Sequence, residues 1–118
     1  NMDVHLETGP IVREPDGLAL SSRNKYLSDS QRKKATVLYH SLQMARNSVQ
    51  DGIYSPAIIR MQMEQFIRSV PEAVIDYIAI VHPYSLDPLT EMGDEVLIAL
   101  AVYIGEVRLI DNIVIKRN

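Results

Sequence analysis

Nine consecutive apolar residues, Val96-Leu97-Ile98-Ala99-Leu100-Ala101-Val102-Tyr103-Ile104, end at Gly105-Glu106 and are followed by a second branched apolar run. The first run is far below the roughly 20 residues that a membrane-spanning helix needs, and its β-branched content suits a strand. Gly105-Glu106 has the glycine-first chemistry of a tight two-residue hairpin. Val107 to Ile110, with an extension toward Ile115, is therefore predicted to pair antiparallel with Val96–Ile104. Val74 to Val81 has the same character. The C-terminal region reads as a small antiparallel sheet of about three strands.

Ahead of this sheet the periodicity is helical. Ser28-Asp29-Ser30-Gln31 is a capping-box pattern, and Ala35, Leu38, Leu42, Ala45 and Val49 then recur at intervals that line one helical face. This predicts a helix from about Asp29 to Val49, stopped by Asp51-Gly52. Ser55-Pro56 starts a second, with Ile59, Met63, Phe66, Ile67 and Val70 as its apolar stripe and an end before Pro71. At the other end of the chain, Met2 to Leu6 alternates polar and apolar side chains like a half-buried strand, and Gly9-Pro10 breaks it. From Pro15 to Leu27 neither period is sustained, which predicts a loop. The fold class is α+β: an N-terminal strand and loop, two helices, then the sheet.

A chain of 118 residues is one domain by size and can bury roughly two thirds of its unfolded surface. Its 47% hydrophobic and 23% charged residues are the balance of a globular protein. With no cysteine there is no disulfide framework and no thiolate metal site. A net charge of −3 and a pI near 5.5 argue against a nucleic-acid surface, which needs clustered positive charge. No export leader or membrane segment is expected, and a cytoplasmic location is compatible.

The chemistry concentrates in Asp16-Gly17-Leu18-Ala19-Leu20-Ser21-Ser22-Arg23-Asn24. A guanidinium matches phosphate or carboxylate by paired hydrogen bonds, and neighbouring serines add small donors without blocking approach. On chemistry alone the same residues better suit a solvated loop in which Arg23 pairs with a surface carboxylate and the serines face water. Other candidates read as structure. His5, His40 and His82 lack metal-ligand spacing, and the acidic trio Glu91, Asp94 and Glu95 reads as a solvated loop. Arg108 and Asp111 suit a hairpin salt bridge or strand cap. Met61, Met63 and Phe66 suit core or a domain interface. The five glycines are too dispersed to form a phosphate-cradling loop.

The whole run from Ile11 to Ser28 resembles the pantothenate synthetase (pantoate-beta-alanine ligase) family. The resemblance returns at Asp76-Tyr77-Ile78-Ala79-Ile80-Val81-His82-Pro83, at Leu86-Asp87-Pro88-Leu89 and from Gly105 to Ile113, in the family's order. It implies ATP-dependent condensation of pantoate with beta-alanine through pantoyl adenylate, with magnesium accompanying the nucleotide and a homodimer as the assembly. It also implies that Val12, Leu20, Ser21, Ser22 and Arg23 contact ATP, Val12 at the adenine and Arg23 as the residue that stabilises transition-state charge. No metal is expected on the protein's own side chains. The family often carries methionine where this chain has Leu20, a change that conserves volume and apolarity. The family's nucleotide-binding histidine motif, pantoate-binding glutamines and lysine-bearing segment belong to an N-terminal Rossmann-like domain and are not found here. Residues 1–118 are accordingly expected to form a single C-terminal lid domain, inactive alone, with residues 1–27 at the junction. The alternative is a noncatalytic module that self-associates through apolar helix and strand faces or by exchange of Met2–Leu6.

Overall fold

The computed structural model describes residues 12–19 and 21–117. The strand expected at Met2–Leu6 lies outside the described residues, as does Leu20. A 3-10 turn over Ser22–Tyr26 leads into helices α1 (Asp29–Ala35), α2 (Val37–Gln50) and α3 (Pro56–Arg68). Strands β1 (Ala73–Val81), β2 (Glu95–Ile104) and β3 (Val107–Lys116) follow and pair antiparallel in the order β1-β2-β3. This is the α+β arrangement the sequence predicts. No helix among the described residues is long and apolar enough to cross a membrane.

Both helix starts form as the sequence dictates. The amide of Gln31 donates to Ser28 Oγ at 3.1 Å, and the amide of Ser28 donates to Gln31 Oε1 at 3.1 Å, so two orphan amides are satisfied reciprocally. The helix predicted over 29–49 is interrupted once, at Thr36. Its hydroxyl donates to the Lys33 carbonyl at 2.7 Å and its ψ is −10°, a local competitor that divides α1 from α2. The stripe survives the break, with Ala35, Leu38, Leu42, Ala45 and Val49 all buried. At the far end Gly52 takes φ +100°, its amide donates to Val49 and that of Ile53 donates to Ser48. That pair of bonds is the Schellman closure, which places glycine where a side chain would be strained.

Helix α3 starts at Pro56 under a Ser55 cap and buries Ile59, Met63 and Ile67. Phe66 and Met61 remain on its surface, so only Met63 of the methionine and phenylalanine cluster belongs to the core. The sheet explains the nine-residue apolar run. Val96, Ile98, Leu100, Val102 and Ile104 join α2 and α3 in one hydrophobic cluster, while Leu97, Ala99 and Ala101 point to the opposite face and are buried as well. A strand covered on both faces has no polar side to alternate with. The edge strand β1 alternates over most of its length, whereas β3 does so only in part. Between β2 and β3, Gly105 has φ +59° and Glu106 does not share it, the II′ pattern suited to right-twisted strands.

Candidate functional site

Residues 12–27 return on themselves over a short distance. Arg13 and Ala19 form an antiparallel bridge, and the intervening turn is closed by the Glu14 amide donating to Leu18 O and the Gly17 amide donating to Glu14 O. Pro15 and Asp16 supply the turn chemistry, with the Leu18 amide donating to Asp16 Oδ1 at 3.1 Å. Gly17 has φ +93°, and a Cβ there would stand 2.3 Å from the Tyr39 ring. Only glycine fits. Leu18 then enters the core as a hydrophobic pin.

Polar clasps from Arg13, Glu14 and Asp16 fix this loop to the body. Arg13 donates to both oxygens of Asp111 at 2.6 and 2.9 Å, donates to the Gly17 carbonyl, and lies 4.5 Å from the centroid of the Tyr39 ring. The Asp111 carboxylate is 1% exposed. Glu14 accepts from Arg32 of α1 and from Asn24 Nδ2, the latter at 2.7 Å, while Arg32 also faces Asp16 at 3.5 Å. Asn24, itself buried, uses the same nitrogen to donate to the Ala19 carbonyl at 3.0 Å. The hairpin salt bridge or strand cap expected of Arg108 and Asp111 does not form: Arg108 pairs with Asp76 of β1 at 2.9 Å, and Asp111 with Arg13 of the loop.

The clasps leave a defined set of groups facing outward. Ser21 caps the 3-10 turn by accepting from the Arg23 amide at 3.1 Å, and Ser21, Ser22 and Arg23 are all exposed on that turn. The region predicted as irregular thus holds an ordered turn, because the Ser21 hydroxyl supplies the cap. Among the described residues the Arg23 guanidinium has one long contact, 3.4 Å to the Arg108 carbonyl. It borders an open cleft of about 860 Å³ that also involves Tyr26, Gln31, Glu72 and the β2–β3 hairpin. Val12 is two-thirds exposed, where the Arg13–Ala19 bridge draws the loop's ends together. Of the five residues named from sequence, three share one exposed turn, one sits at the loop's entry and Leu20 lies outside the described residues.

Electrostatics favour the clasped form above acid pH. The Arg32 guanidinium and then the Asn24 amide, donating to Glu14, hold its carboxyl below the ordinary value of 4.5. Lys34 and Gln31 do the same for Glu72. A carboxylate whose pKa is lowered on folding contributes stability above its unfolded pKa and loses it as pH falls through the folded one. The loop is therefore expected to loosen below the ordinary carboxylate range and to remain clasped above it. Amide NMR shifts of residues 13–27 followed down in pH check this; shifts unchanged through that region would contradict it.

Two hydroxyls and an exposed guanidinium, presented on a turn pinned from behind, define an α+β unit with a surface suited to an anionic ligand. A family model described as pantoate-beta-alanine ligase matches residues 1–114, and the chain belongs to that family. It is 47% identical over 116 residues to a pantothenate synthetase of Syntrophomonas wolfei and 49% identical over 115 to one of Thermosipho africanus. Each match covers 98% of this chain and 41% of the relative, so the chain spans about two fifths of the curated relatives' length. Among solved structures, pantothenate synthetase from Thermus thermophilus superposes with a TM-score of 0.82 at 47% identity, over 89% of this chain and 38% of that one. The ligase from Francisella tularensis, solved with a beta-gamma ATP ligand and beta-alanine, matches at a TM-score of 0.50 and 30% identity, over 89% of this chain and 31% of that one.

Proposed function

We propose that this chain is the C-terminal part of a ligase that joins pantoate to beta-alanine at the expense of ATP. Residues 12–27 then form its ATP-contacting loop. The observation that carries this reading is the exposed Ser21-Ser22-Arg23 turn, held by internal clasps within a chain matched by the family model almost throughout. In the first step a pantoate carboxylate oxygen attacks the α-phosphorus of ATP, giving pantoyl adenylate and pyrophosphate. The amine of beta-alanine then attacks the acyl carbon and expels AMP, losing a proton as the amide forms. This chain's share is charge stabilisation. Arg23 meets phosphate oxygens as negative charge develops, Ser21 and Ser22 offer hydroxyls beside it, and Val12 and Leu20 give apolar contact to the nucleotide.

Magnesium accompanies the nucleotide in this reading. Glu14 and Asp16 are committed to Arg32, and among the described residues no group of three or more His, Asp or Glu side chains is placed to hold a metal. A homodimer in the cytoplasm is part of the same proposal. The test is turnover of ATP, pantoate and beta-alanine by the full-length protein and by residues 1–118 alone. Pantothenate, AMP and pyrophosphate are expected from the first and none from the second; a full-length protein inert toward these three substrates overturns the reading.

A further inference from the structure

We propose that Asn24 is a positioning residue that holds the Ser21–Arg23 turn in register for its anionic ligand. The proposal rests on the ATP-contact reading above. Asn24 follows Arg23 directly, and its side chain reaches back to the Ala19 carbonyl at 3.0 Å, on the other side of the serine run. Its backbone amide donates to the Ser21 carbonyl at 3.1 Å. One residue thus ties Ala19 to the turn from which Ser21, Ser22 and Arg23 project. The second bond of the amide nitrogen, 2.7 Å to Glu14, carries that tie to Arg32 and helix α1.

The hydrogen-bond chemistry identifies asparagine as the residue required. Both partners of Nδ2, a carboxylate and a carbonyl, are acceptors, which fixes the orientation of the amide and makes its two N–H groups the working part. The remaining oxygen, Oδ1, is buried with no donor among the described residues. An unpaired buried acceptor opposes folding, and the two hydrogen bonds made by Nδ2, one of them to a carboxylate, offset that cost. What the arrangement provides is a rigid base for exposed groups. Placement of charged donors to within a fraction of an ångström is what transition-state stabilisation demands.

Asn24→Asp in the full-length ligase is the sharpest test, because it keeps the shape and replaces both donors by a carboxylate facing Glu14. We expect kcat/KM for ATP to fall about ten- to a hundredfold, with KM for beta-alanine unchanged. Adding Glu14→Gln, whose amide can donate to the new carboxylate, should recover part of the loss. In an Arg23→Ala background Asn24→Asp should add less than it does alone, since both act through one contact. If Asn24→Asp does not yield folded protein, Glu14→Ala removes the same clasp from the other side and should give a loss of the same sign. Arg23→Ala impaired with the clasp variant within twofold of wild type overturns the role of Asn24 alone. Arg23→Ala at wild-type rate removes the ATP-contact reading itself.

Discussion

If Arg23 has the ATP-contacting role proposed above, replacing it by alanine in the full-length protein is expected to lower kcat/KM for ATP by about thirty- to a thousandfold, the equivalent of ~2–4 kcal/mol of lost transition-state stabilisation. The structure separates this from a folding effect. Among the described residues the Arg23 guanidinium makes a single long contact, to the Arg108 carbonyl, and the side chain is exposed. Truncating such a surface residue changes stability by only about 0.5 kcal/mol in either direction, so the unfolding midpoint should stay where it is while the rate collapses. Arg23→Lys keeps the charge but gives up the planar fork that addresses two oxygens at once, and should restore only part of the activity. Steady-state kinetics with ATP as the varied substrate, together with isotope exchange between pyrophosphate and ATP, locate the loss in the adenylate-forming step. An alanine variant that turns over at the wild-type rate would remove Arg23 from the site.

The architecture was legible because each element carries its own local signal. Ser28 with Gln31, Ser55 with Pro56, Asp51-Gly52 and Gly105-Glu106 are start, stop and turn chemistries whose partners lie within a few residues, and all four form as read. The break at Thr36 was not visible, because a threonine on a helical face either faces water or bonds backward to a carbonyl, and spacing does not say which. Phe66 falls at a stripe position yet stays partly exposed, since the width of the buried stripe depends on what packs against it. The exposed part of the candidate site was legible as a charged and hydroxylic run. Its support was not. Asn24, between Arg23 and Lys25, reads as one more solvated polar residue, and its burial depends on Glu14 and Ala19 folding over it. Arg13 and Asp111 are 98 positions apart, and no periodicity links such a pair. Asp111, lying among the apolar residues of β3, could have been flagged as a charge in need of a partner, though not as Arg13's.

That pair supports a large stability effect, and its two halves should not be equivalent. Arg13→Ala orphans the Asp111 carboxylate, 1% exposed in the intact chain, with only the Asn112 amide, at 2.8 Å, still donating to it among the described residues. An uncompensated buried charge of this kind costs about 3–5 kcal/mol, a large share of the roughly 5–15 kcal/mol that holds a typical domain together. Asp111→Ala removes the buried charge instead. The arginine left behind is 22% exposed, retains the Gly17 carbonyl and the Tyr39 ring, and can turn toward water. Its cost should be nearer ~1–3 kcal/mol, that of a lost charge-assisted hydrogen bond. The double variant should be less destabilised than the two single losses added together, and close to Asp111→Ala, because it has no orphaned carboxylate. Urea unfolding of the four proteins, compared at constant m, gives the order directly. Equal losses in the two single variants would mean that water reaches Asp111, and the clasp between the candidate loop and β3 would then be a surface contact rather than a buried anchor.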